Sequence, residues 1–441
     1  MHRFAKAATA AFLPYLAALA VAGAPVTAAA RDGSCLAPSG DDDTAALQAE
    51  LDRCAGARGP CTVTLCAGTF RTGILRVKGF RGTLRGAGAR ATVLKAQPDL
   101  EVSANPQDFF RDEPFGSLPW PYLLQFIEGK ATIRDLGILI PSPPAGSRPT
   151  TGWTIFASEP IYELRGALLL TGRDRVDFEV SRVRVRAESD AASELDTTAY
   201  QGIEFGGLLY NPDDTGLFPV FPARGRFEVT DSEILGVLNG TPVSEIAQAN
   251  VRVAHNRFRS TVAVDLIDAD RSQVAIVSNR WDVSYSGVQV RQNLDGSPSR
   301  ASGILVDDNE GSLAPFAPGI GYGVFFQDPY DASREPGGSV LWATRNRLTL
   351  GTGAGPAVSG MTVEGSARLK LTGNRFSGHV GTGIDVDATH GCLVLANSFS
   401  GLETDPGPDL HLGSATSDCV AIVGKHDLVE DDGVNSRLIR R

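Results

Sequence analysis

Short apolar alternations recur along the chain, each closed by an asparagine and a large apolar residue. The last two clear copies, LKLTGNRF at Asn374 and CLVLANSF at Asn397, stand 23 residues apart. Earlier copies read VRVAHNRF at Asn256, VAIVSNRW at Asn279 and VLWATRNRL at Asn346, with weaker forms at Ser181 and Ser232. Residues five and three before each Asn are apolar, as in Val251 and Val253 or Leu369 and Leu371. The residue two after it is Phe258, Trp281, Leu348, Phe376 or Phe399. Alternation of period two predicts strands with one buried face. A second strand follows each turn and reads Gly-apolar-x-apolar: GVQV at Gly287, GMTV at Gly360 and GIDV at Gly383, with further copies expected at Gly202, Gly303 and Gly323.

Units of this length that cannot bury an apolar face alone predict stacked coils. Several short strands per coil with an Asn corner predict an all-β fold, a parallel β-helix of roughly 23–30-residue coils. An Asn side chain suits such a corner because it both donates and accepts hydrogen bonds where bent backbone leaves groups unpaired. Before the coils, DDDTAALQAELDRC places Leu47, Leu51 and Cys54 on one helical face behind an Asp cluster, which predicts a short helix capping the open end. The expected organisation is a signal peptide over 1–30, a cap helix and first strand over 31–75, the β-helix with loop insertions over 76–425 and a tail over 426–441.

The opening D-D-T-A-A-L-Q, then T-V-T-L-x-A-G-T-F, with the Asn-Arg-Phe coils after it, resembles the pectate-lyase-like superfamily of right-handed parallel β-helices. The resemblance implies the fold. It does not select an activity, because that superfamily holds lyases, hydrolases, esterases, epimerases and non-catalytic adhesins.

The first 30 residues change the compartment. A basic start (Arg3, Lys6), an apolar run too short to span a bilayer and Ala28-Ala29-Ala30 read as a secretory signal. Secretion or periplasmic export turns the six cysteines into expected disulfides, since none has a zinc-like C-x-x-C spacing. Cys392 and Cys419 fall at the same inward position of successive coils, so they are expected to pair, with Cys35, Cys54, Cys61 and Cys66 pairing near the cap. Without Arg3 and Lys6 the balance of 41 basic to 51 acidic residues becomes 39 to 51, which argues against nucleic acid as a partner. No membrane association is expected after cleavage.

Catalytic signatures within the resembling families are mostly absent. Of the polygalacturonase-like blocks, Asp307-Asp308 is the one match, without the Gly-His-Gly or the Arg-Ile-Lys that accompany it there. Asp328-Pro329-Tyr330-Asp331 resembles the Asp-Pro-His-Asp of alginate epimerases, with Tyr where the proton-carrying His stands. The outward positions of the Gly-apolar-x-apolar strands give a second set of candidates. Glu204, Asp265, Gln289, Arg291, Asp307, Gln327, Thr362, Glu364, Asp385 and Asp387 are expected to form a ladder with about 4.8 Å between coils. Carboxylates at one or two such spacings suit glycosidase chemistry, while a merely solvated polar face gives the same pattern.

The reading that follows is a protein that cleaves or modifies a uronate-containing polysaccharide. Asp307, Asp308 and Asp328 are the expected catalytic carboxylates, with Arg291, Gln289, Gln327, Glu364 and Tyr330 as substrate-binding groups. If the chemistry is a lyase's, Ca²⁺ on the acidic ladder or Arg291 would neutralise the sugar carboxylate. A non-catalytic glycan-binding or surface protein is the alternative. Aromatic-rich insertions at Gln97–Gln125, Pro141–Arg165, Ala187–Gly225 and Gln292–Gly338 would wall the groove.

Overall fold

The computed structural model describes residues 35–97, 122–140, 164, 166–172, 175–187, 201–209, 220–292, 303–314, 321–328, 339–351, 358–366, 368–404 and 407–441. Over these residues the chain winds as a right-handed parallel β-helix, the fold expected from the sequence. Its 30-stranded main sheet bends round three faces, here A, B and C in the order the chain visits them. Face A carries the strands before the Asn corner, such as Gln273–Val277 and Gly303–Asp307. Face B carries those after it, such as Glu310–Leu313 and Arg347–Leu350. Face C carries the Gly-led strands, such as Gly321–Gln327 and Val358–Ser366.

The corner between A and B follows from the chemistry of one side chain. Asn256, Asn279, Asn309, Asn346, Asn374 and Asn397 stack, and each Nδ2 donates to a backbone carbonyl of the coil before, as Asn309 does to Ile276 at 2.9 Å. The second Nδ2 hydrogen goes to Oδ1 of the next Asn at 2.9–3.1 Å, and that Oδ1 also accepts the main-chain N–H of the Asn before it. Every polar valence of a linked amide is thereby used inside the fold. Ser232 begins the series, its N–H reaching Asn256 Oδ1 at 3.0 Å. Ser181 pairs with Thr230 instead, two residues from the expected register. Successive asparagines lie 23, 30, 37, 28 and 23 residues apart, so one coil exceeds the expected range.

Inside, the alternating residues meet as layers: Ile276, Val306, Ala343, Leu371 and Val394 on face A are all nearly inaccessible. Aromatic rings fill the B–C corner, where Phe376 and Phe399 stack at 5.4 Å between centroids. The glycines opening the face C strands make room for these rings. A Cβ at Gly360 would strike Phe376, and one at Gly287 would strike Trp281.

One end is closed by the helix Thr44–Ala55, which buries Leu47, Leu51 and Cys54. Its Asp43 does not cap the helix; the carboxylate instead accepts backbone N–H groups of Ser39 and Arg71. Disulfides Cys35–Cys66 and Cys54–Cys61 fix this end, and Cys392–Cys419 joins adjacent coils at the other, with Cα atoms 4.4 Å apart. Residues 426–441 are not a tail. Val429–Asp431 extends face C and Arg437–Arg440 extends face A, with Asp427 accepting the Gly424 N–H where earlier coils use Asn. No described helix is long and apolar enough to cross a membrane.

Candidate functional site on face C

Between Arg134 and Arg375 every A–B corner takes two residues, while the connections into and out of face C are often longer. Residues 98–121, 141–163, 188–200, 315–320 and 352–357 run from B to C, and 210–219, 293–302 and 329–338 run from C to A. Face C is therefore the face whose strands begin and end at the longer connections.

Its middle row of outward positions is fixed by strand register. Asp265 stands opposite Gln289, then follow Phe325, Thr362, Asp385 and His411. A flanking row reads Arg291, Gln327, Glu364 and Asp387. Glu204, Asp265, Gln289, Phe325 and Thr362 are all under a tenth exposed although they point away from the core. Glu364 and Asp387 are exposed, while Tyr322, Gln327, Asp385 and His411 are half-buried. Face C thus has a closed stretch and an accessible one.

In the closed stretch Asp265 accepts two hydrogen bonds from Nη2 of Arg291, at 2.7 and 3.0 Å. Burial pushes the Asp265 carboxyl above the ordinary range, and Arg291 pulls against it. Arg291, expected to hold a sugar carboxylate, is committed to this pair. Gln289 sits beside them, 8% exposed. Tyr285, Tyr322 and Phe325 form an aromatic cluster, the last two with ring centroids 4.7 Å apart.

The accessible stretch gathers a base, acids and hydroxyls. His411 Nδ1 lies 2.8 Å from Asp385 Oδ1, and Gln327 donates to Glu364 Oε2 at 2.9 Å. Burial, then the fields of Tyr285, Glu364 and Asp385, raise the Tyr322 phenol and keep it protonated. Thr362, between Phe325 and Asp385, has a buried hydroxyl with no hydrogen-bond partner.

The expected catalytic carboxylates lie elsewhere. Asp307 ends a face A strand and is bound by Thr344 Oγ1 and the Arg345 guanidinium. Asp308 occupies the left-handed corner residue at φ 52°, beside Asn309. Gly303–Asp307 is thus a face A strand and not a copy of the Gly-led face C strands, which removes Asp307 from the ladder, and Asp308 lies with it away from face C. Asp328 is on the C–A corner, 1% exposed, accepting the Ser339 N–H at 3.2 Å. Tyr330 and most of the aromatic insertions lie outside the described residues. His411 was missed because its strand, Leu410–Leu412, lacks the leading glycine; its Leu-His-Leu alternation is the signal that identifies it.

The acidic row does not converge: among the described residues no three His, Cys, Asp or Glu side chains are placed to hold one metal ion. Ca²⁺ does not fit these residues.

No family model matches the chain, and no curated protein sequence does. Among solved structures, it is similar to the mannuronan C-5 epimerase AlgE4 A-module of Azotobacter vinelandii, with 13% identity, 91% of this chain and 94% of that chain covered, and a TM-score of 0.40. A family 28 exopolygalacturonase of Yersinia enterocolitica gives 13% identity, 93% and 76% coverage and 0.43. The surface protein and adhesin PfbA of Streptococcus pneumoniae gives 12% identity, 92% and 100% coverage and 0.44.

Proposed function

We propose that this is an exported, carbohydrate-active enzyme that binds a polysaccharide along face C and performs acid–base chemistry on it at the accessible end. The observation that carries the reading is the His411–Asp385 pair beside Glu364 and Tyr322. With Asp385 on Nδ1–H, His411 keeps Nε2 as a proton acceptor, the arrangement by which a carboxylate orients a catalytic imidazole. The protonated Tyr322 is the group that can give a proton back to a leaving oxygen. The charges favour a chain recognised through its hydroxyl groups: a densely charged uronate polymer would meet Glu364, Asp385 and Asp387 with Arg291 already neutralised.

The test is a screen of galactan, arabinan, xylan, pectate and alginate, following reducing ends and absorbance at 235 nm, repeated with His411→Ala and Asp385→Asn. Turnover lost about 10²–10⁴-fold in folded variants supports the assignment. Binding without products from any polymer would make the protein a glycan-binding module instead.

A further inference from the structure

Face A carries a second surface that the face C reading does not use. Its outward row runs Glu228, Arg252, Ala275, Leu305 and Trp342 on successive coils, flanked by Arg226, Asn250, Gln273 and Gly303. These residues line a groove of about 450 Å³. Trp342 is 47% exposed, a large value for an indole on the middle of a sheet. The face changes character along its length. Arg226, Glu228 and Arg252 make one half polar, whereas Ala275, Leu305 and Trp342 make a flat apolar floor in the other.

Each charge of the polar half already has a partner. Glu228 accepts from Arg226 and, at 2.6 Å, from Arg252; Arg226 also faces Asp177, which holds Lys130 at 2.7 Å. A surface whose charges are already paired, with planar amides from Asn250 and Gln273 and one exposed indole, offers little to an acidic or basic polymer. It suits a ligand that has an apolar face, many hydroxyl groups and no charge. At Gly303 the groove is open, since a Cβ there would meet nothing within 4 Å.

We infer that the outer surface of face A is a second glycan site, in which a neutral sugar chain lies across the coils with one ring on Trp342 and its hydroxyl groups on Gln273, Asn250 and the Arg226–Glu228–Arg252 cluster. It rests on the reading that the protein handles polysaccharide, but not on the chemistry of face C. The surface holds chain without cutting it and raises the local concentration of substrate for the other groove.

Affinity electrophoresis of the whole protein in gels containing galactan, arabinan, xylan or β-glucan tests this. Retardation by at least one neutral polymer is expected to fall roughly tenfold with Trp342→Ala, as for an interface aromatic. Gly303→Leu should give the same loss by filling the groove, with melting temperature unchanged. Asp385→Asn should keep the retardation that depends on Trp342. The inference is overturned if no neutral polymer retards the wild type, or if both face A variants migrate like it. It is equally overturned if Trp342→Ala converts a dimer to a monomer without changing retardation, which would make this face a contact between copies. Loss of turnover in the His411 and Asp385 variants is read independently, so either site can fail alone.

Discussion

A side chain at Gly311 would overlap the indole of Trp281, the residue in register with it one coil earlier. Other coils place a large apolar residue two positions after the corner Asn; here Trp281 fills the space of two layers. Gly311→Val should therefore cost about 1–3 kcal/mol through overpacking. The double variant Trp281→Leu/Gly311→Val, which restores the ordinary layer, should recover part of that in urea unfolding. Equal loss in both proteins would show that the indole does not set the requirement.

The residue before each Asn sits in the left-handed region: Ser278 at φ 53°, Arg345 at φ 57° and Ala396 at φ 52°, with Gly373 in the same place at φ 68°. Ala396→Gly should raise stability by roughly 1 kcal/mol, because alanine has no local side-chain bond to offset the strain. A fall in melting temperature would count against this.

Arg291 and Asp265 form a pair in which the carboxylate is 2% exposed. Removing one partner leaves a buried charge, so Arg291→Met is expected to cost about 3–5 kcal/mol, and Arg291→Met/Asp265→Leu to recover most of it. A single variant that keeps its stability and loses polysaccharide binding would return Arg291 to the substrate.

Asp135 is held below the ordinary aspartate range by its hydrogen bonds from Arg182, at 2.7 and 3.0 Å. A carboxyl depressed on folding adds stability above its unfolded value, about pH 4, and that contribution is lost as pH falls through the folded value. Melting curves of wild type and Asp135→Asn should converge as pH drops from 5 towards 2. A constant gap would show that the pair is not linked to protons.

Reading the sequence located whatever recurs for a steric or hydrogen-bonding reason in each coil. The Asn corner, the inward alternation and the Cys392–Cys419 register were legible because every coil must meet the same requirement. Asn309 was not, since Trp281 leaves only Gly311 where the pattern calls for a large residue. Gly303 imitated the face C glycines, yet nothing packs where its side chain would go, whereas Gly360 and Gly383 are pressed by Phe376 and Phe399. That confusion carried Asp307 onto the wrong face. The partners of Arg291 and His411 were hidden for another reason: the register shows that Asp385 meets His411, but not which groups are already neutralised.

The Asn spine has a direction. Each side-chain oxygen serves only the coil before it, so all the amide dipoles line up head to tail. Peeling the first coil from the stack strands an Oδ1 and one Nδ2–H, while peeling the last strands two donors, a main-chain N–H and an Nδ2–H, and an orphaned donor is the harder of the two for a protein to tolerate. The two ends of the solenoid are therefore unequal as places to begin unravelling. The bond between Cys392 and Cys419 fastens the coil of Asn397 to its successor, at the end where the last link of the spine would otherwise let go.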